Sequence, residues 1–135
     1  MSEVRGSTGN LVRLDGKAAL IIGASSGIGR ACAEVCAEAG AEVMVADIDE
    51  VKGGEVTDAI NGQGGTAAFI RVDVTDERSV AESIAATVKR FSRLQVLVNT
   101  AGAADLGSAP GEAWHDFINL FLKGRRIQGV RATAW

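Results

Sequence analysis

Gly23, Ser25, Ser26, Gly27 and Gly29 fall within one short stretch, Gly-Ala-Ser-Ser-Gly-Ile-Gly, with Ile28 between the last two glycines. An apolar run leads into it, and residues with helical apolar spacing follow. A strand that turns through glycines into a helix builds a cradle for phosphate. Gly23 permits the tight turn, Gly27 keeps side chains away from an approaching pyrophosphate, and Gly29 lets the helix pack closely on the strand. Free backbone N–H groups and the positive end of the helix dipole then face the phosphates, and the hydroxyls of Ser25 and Ser26 add donors. The spacing is G-x-x-x-G-x-G, not the G-x-G-x-x-G of many dehydrogenases. It is not a P-loop either, because no Gly-Lys-Ser/Thr follows.

A carboxylate stands at the next strand end. Asp47, with Ile48 after it, lies about 20 residues beyond the glycines. A carboxylate there accepts hydrogen bonds from the adenosine ribose hydroxyls and repels a 2′-phosphate. The expected cofactor is therefore NAD, with NADP disfavoured. No Arg or Lys stands in the turn or directly after Asp47 to receive that phosphate.

The elements that must position these groups alternate regularly. Ala18–Ile22 is fully apolar, as a buried parallel strand should be. Gly27–Ala39 reads as a helix that Gly40 ends. Glu42–Ala46 is a second strand, and Asp49 caps a second helix that reaches Ile60, weakened by Gly53 and Gly54. A turn follows over residues 61–65. Thr66–Val72 is a third strand, Asp76–Phe91 a third helix, and Gln95–Val98 a fourth strand that ends at Asn99. This alternation predicts an α/β fold with a doubly wound, Rossmann-like parallel sheet, incomplete, in strand order 3-2-1-4. Residues 1–13 read as a flexible extension, residues 14–124 as a partial dinucleotide-binding domain, and residues 125–135 as a divergent basic tail.

Composition narrows the classes. A chain of 135 residues is one domain at most. Its net charge of −3 gives no reason to expect a nucleic-acid partner. No apolar run approaches the roughly 20 residues that cross a bilayer, and the N-terminus lacks the apolar stretch of a signal peptide, so the expected location is the cytoplasm. Cys32 and Cys36 fall on one helical face beside Ile28, Val35 and Ala39, and read as small buried residues. His115 is the sole histidine, so no metal site is expected.

Together, Gly23 through Gly29, Asp73-Val74 and Asn99-Thr100-Ala101-Gly102 resemble the short-chain dehydrogenase/reductase family, as does the leading Leu14-Asp15-Gly16-Lys17. The resemblance covers residues 14–124. It implies that Asp73 meets the adenine amino group with Val74 against the ring, and that Asn99, Ala101 and Gly102 line the ribose side of the cofactor. Three positions depart from the family pattern. Ile22 stands where a threonine usually precedes the first glycine, and Thr100 replaces the second asparagine of Asn-Asn-Ala-Gly. Trp114 to Leu122-Lys123-Gly124 is similar to the family's next helix, which carries an asparagine before Leu-Lys-Gly. Phe121 is the residue aligned without a gap. Asn119 takes that place only with a two-residue shift, which would turn it to another helical face.

The family's reaction is hydride transfer between a nicotinamide and an alcohol or ketone. The resemblance implies a tyrosine that moves the proton, a lysine four residues on, and a serine that orients the substrate oxygen. All of them lie beyond the point where this chain stops, and the chain has no tyrosine. General acid–base help is worth about 10²–10⁴ in rate. The sequence therefore offers no catalytic residues, and the chain alone is expected to be inactive. The tail after Gly124 does not continue the family pattern, so a truncated or frameshifted gene is one expected origin. A noncatalytic dinucleotide-binding module is another reading. A methyltransferase using S-adenosylmethionine is a third, disfavoured because its usual turn is G-x-G-x-G. The apolar residues of Trp114–Leu122 predict that the chain is poorly soluble or forms homo-oligomers through that helix.

Overall fold

The computed structural model describes residues 12–100. Four strands and three helices alternate along the chain: β1 (Ala18–Ile22), α1 (Gly27–Glu38), β2 (Glu42–Asp47), α2 (Glu50–Gly62), β3 (Thr66–Arg71), α3 (Glu77–Phe91) and β4 (Val96–Asn99). The strands are all parallel and lie in the order β3-β2-β1-β4, as the alternation predicts. Every residue of β1 is buried, because this central strand is covered on both faces.

The sheet divides two cores. Alternate residues Ala19, Ile21, Val43, Val45 and Ala67 face α1 and α2, where Ala33, Val56 and Ile60 meet them. Ala18, Leu20, Ile22, Met44 and Ala46 face α3, which contributes Val80, Ile84 and Phe91. The chain passes to the opposite face of the sheet after β3, so the strand order reverses at β1. In such sheets ligands bind outside the carboxyl ends of the strands at that point.

The helix ends follow their local chemistry. Gly40, at φ 101°, closes α1 in a Schellman motif: its N–H bonds Ala37 O at 3.0 Å, and the Ala41 N–H bonds Cys36 O at 3.0 Å. Asp49 caps α2 by accepting from the Lys52 N–H at 3.0 Å. Gly53 does not weaken α2 without reason. A methyl group there would strike the Phe69 ring, with Cδ2 at 2.7 Å. The glycine is what lets α2 lie close on β3. At the far end of α2, the Asn61 side chain pairs with the outer edge of β3. Its Oδ1 accepts from the Ala67 N–H at 2.8 Å and its Nδ2 donates to Ala67 O at 3.0 Å.

The reading of Cys32 and Cys36 needs correction. Both are half-buried against the core under α1 and α2, and Ala39 is buried, but Ile28 and Val35 are 76% and 62% exposed. The turn that begins α1 directs Ile28 outward, and Val35 lies on the solvent side of the helix. Burial, followed by the neighbouring Cys32, raises the Cys36 thiol above its usual range. Arg13, assigned to the extension, bonds Asp15 and Glu38 O. Ala101, Gly102 and the stretch 114–122 expected to be helical, with Asn119 and Phe121, lie outside the described residues. Among the described residues, no helix is long and apolar enough to cross a membrane.

Candidate functional site

Backbone hydrogen bonds tie the carboxyl ends of the four strands together. The N–H groups of Gly23 and Ala24 both donate to Ala46 O, at 2.8 and 3.2 Å. Val72 N–H donates to Asp47 O at 3.0 Å, and Thr100 N–H to Ile22 O at 2.9 Å. This fixed floor carries the glycine turn. Gly23 and Gly27 both have positive φ, 81° and 58°, which glycine adopts without strain.

The three glycines differ in their surroundings. A methyl group on Gly27 would meet nothing within 4 Å, so this glycine faces open space. A methyl group on Gly29 would collide with the Gly23 carbonyl, and the Thr100 Oγ1 would lie 2.5 Å away. Gly29 thus seats α1 against the end of β1, as its spacing predicts. Ser26 occupies the N-cap position, exposed and extended, without a side-chain cap bond. The N–H groups that open a helix have no intrahelical partner. Gly27, with open space beside it, is the first residue of that helix. An anion fits this arrangement of open glycine and helix N-terminus.

Asp47 lies across from the turn. Its Oδ2 accepts from the Ser25 N–H at 3.1 Å, and its Oδ1 from the Asp49 N–H at 3.0 Å. Burial pushes its pKa up, but bonds from the Asp49 backbone, the Ser25 hydroxyl and backbone, and the Ile48 backbone outweigh it. The carboxyl is held below its usual range. Ser25 is buried and serves Asp47. The carboxylate is therefore fixed in place and charged, with acceptor capacity beyond these bonds. Ile48 and Ile28 are exposed apolar groups at the rim, 56% and 76% exposed.

Asp73 follows β3. Its Oδ1 accepts from the Thr75 hydroxyl at 2.6 Å and the Thr75 N–H at 2.9 Å, and its own N–H donates to Ser79 Oγ at 2.9 Å. The Thr75 hydroxyl first, then the Thr75 backbone, hold this carboxyl below its usual range. Val74 is half-buried against the α3 core. Asn99 ends β4 in register with Ile22, at the foot of the turn.

Sequence reasoning missed two supports. The Thr100 hydroxyl reaches back to Ile22 O at 3.1 Å and Gly23 O at 3.2 Å, although the sequence marked Thr100 only as a departure. The bracing of Asp73 by Thr75 and Ser79 also escaped notice, though an Asp two residues before a Thr is a turn signal. A separate groove of about 410 Å³ lies at the amino ends of the strands, lined by Arg13, Glu34, Gly40, Ile60 and Gly64 among others. It shares no residue with the glycine turn.

A glycine turn and an acidic second-strand end, set at the carboxyl edge of a parallel 3-2-1-4 sheet, define a Rossmann-like α/β domain. Comparison with known proteins is more specific. The sequence pattern of the short chain dehydrogenases matches residues 17–132. The 2,5-dichloro-2,5-cyclohexadiene-1,4-diol dehydrogenase LinX of Sphingobium indicum is 46% identical over 109 residues, which is 78% of this chain and 44% of that protein. A hydroxysteroid dehydrogenase structure from Escherichia coli superposes with a TM-score of 0.71 at 32% identity, covering 84% of this chain and 53% of that one. A 7α-hydroxysteroid dehydrogenase solved with NADH and 7-oxo glycochenodeoxycholic acid gives 0.69 at 33% identity, covering 85% and 47%. The chain belongs to the short-chain dehydrogenase family, and it spans about half the length of the relatives it matches.

Proposed function

We propose that this chain binds NAD(H) at the glycine turn and forms the cofactor half of an oxidoreductase. The reaction is hydride transfer between NAD(H) and an alcohol or ketone. The observation that carries the reading is Asp47, held charged across from the turn by the Ser25 and Asp49 N–H groups. A fixed carboxylate at that strand end suits ribose hydroxyls and opposes a 2′-phosphate, which favours NAD over NADP. In this reading the phosphates meet Ser26, Gly27, Ile28 and Gly29. Asp73 and Val74 take the adenine, and Asn99, Ala101 and Gly102 the ribose side. The structural relative solved with NADH supports the cofactor class. The names of two of the matched relatives, a cyclohexadiene diol dehydrogenase and a hydroxysteroid dehydrogenase, imply ring-borne hydroxyl groups, so we assign a cyclic secondary alcohol or ketone as the substrate class. The 135 residues contain no tyrosine, so the reading gives this chain cofactor binding and assigns proton transfer to residues outside it.

Calorimetry tests the assignment. NADH should bind, NADPH should bind more weakly, and Asp47→Ala should weaken NADH about ten- to a hundredfold, as expected for hydrogen bonds to a charged acceptor. An unchanged affinity in that variant removes Asp47 from the site, and no NADH binding by the parent chain overturns the reading.

A further inference from the structure

Thr100 holds the position from which the fourth strand can act on the glycine turn. It lies 77 residues from Gly23 in sequence, yet its hydroxyl is 3.2 Å from Gly23 O and 3.1 Å from Ile22 O. Its N–H independently donates to Ile22 O at 2.9 Å. The same hydroxyl lies 2.5 Å from the place a Gly29 methyl group would take. One side chain therefore touches the last residue of β1, the first glycine of the turn and the first turn of α1. Ile22 is 1% exposed and brings no hydroxyl of its own to this junction, so the polar tie comes from β4.

A hydroxyl has one proton and two lone pairs. The proton of Thr100 is shared between two carbonyls that flank the strand-to-turn bend. This fixes the Gly23 carbonyl at the base of the turn, between Thr100 and Gly29. The orientation of the first N–H groups of α1 depends on that seat, because Gly29 packs directly on the same carbonyl.

We propose that Thr100 is a positioning residue for the phosphate cradle: its hydroxyl locks the Ile22–Gly23 bend to the end of β4 and so aims the N–H groups that open α1. The proposal rests on the reading of the turn as a dinucleotide site. Thr100→Val removes the hydroxyl at nearly constant volume, and Thr100→Ser keeps it. The valine variant should bind NADH about two- to tenfold more weakly, the scale of one neutral hydrogen bond, while the serine variant stays within about twofold. Amide hydrogen exchange, read without ligand, should speed up for residues 24–29 in the valine variant and stay unchanged in β2 and β3. Thr100→Ala gives the same reading if the extra methyl of valine is not accommodated beside Gly23. Parental affinity and parental exchange in the hydroxyl-free variants overturn the proposal, as does exchange that rises equally across the whole sheet. If the parent chain does not bind NADH, the functional reading falls, and the exchange measurement still decides the role of Thr100.

Discussion

At the scale of single residues, the glycine turn separates two kinds of constraint. Gly27 has positive φ and open space beyond it; Gly29 has an ordinary φ and no space at all. Gly27→Ala should cost about 1 kcal/mol through backbone strain, yet remove most NADH binding, because its methyl would protrude into the space that the proposed site gives to phosphate. Gly29→Ala should cost about 1–3 kcal/mol or more by forcing α1 off β1. Urea unfolding midpoints beside NADH titrations distinguish the two, and equal stability losses would refute the distinction. Asp47 adds a pH dependence. Its folded pKa lies below the usual 3.8, so the stability it contributes is present above that value and is lost as pH falls through the folded one. NADH affinity should be flat from about pH 5 to 8, where the carboxylate stays ionised, and a fall within that range would contradict its assignment. The place of Asp47 beside the turn was legible in the sequence, because it follows from a strand end and a distance from the glycines. Thr100 was not, because its partners are backbone carbonyls on another strand, and no pattern of residue types marks a carbonyl.

At the scale of elements, the helices and strands were legible nearly to their ends. Period and capping chemistry decide them locally: Asp49 caps α2 and Gly40 ends α1, both as the sequence indicates. The adjacent pair Gly53 and Gly54 was not legible. Propensity counts both as weaknesses of the helix. Gly53 is required by the Phe69 ring on β3, whereas Gly54 has nothing within 4 Å. Gly54→Ala should therefore stabilise the chain by up to about 1 kcal/mol, while Gly53→Ala should destabilise it by about 1–3 kcal/mol through overpacking. Thermal midpoints of the two variants should move in opposite directions, and a shift of the same sign in both would refute the packing account. The same tertiary blindness explains Ile28 and Val35: helical spacing groups them with Cys32 and Cys36, but spacing does not tell where the sheet lies.

At the scale of the whole molecule, the described residues form one sheet with a core on each face, and the site sits where the chain changes faces. The strand order followed from the alternation and the handedness of crossovers, and the family from motifs that recur in order along the chain. The outer strand β3 ends this sheet on one side, with the Asn61 amide bound to both polar groups of Ala67. Gly62 follows Asn61, and this pairing is prone to spontaneous deamidation. The next backbone nitrogen attacks the side-chain amide carbon, ammonia leaves, and water opens the succinimide ring to aspartate or isoaspartate. Here the amide is turned toward β3, and Gly62 is still within α2, so ring closure requires the end of α2 to unwind first. Deamidation of Asn61 thus becomes a clock for that unwinding. Peptide mass spectrometry should find the acidic form accumulating much faster in denaturing urea than in native buffer, and faster in Gly53→Ala than in the parent. Equal rates in urea and in native buffer would show that the bond to β3 does not protect this residue.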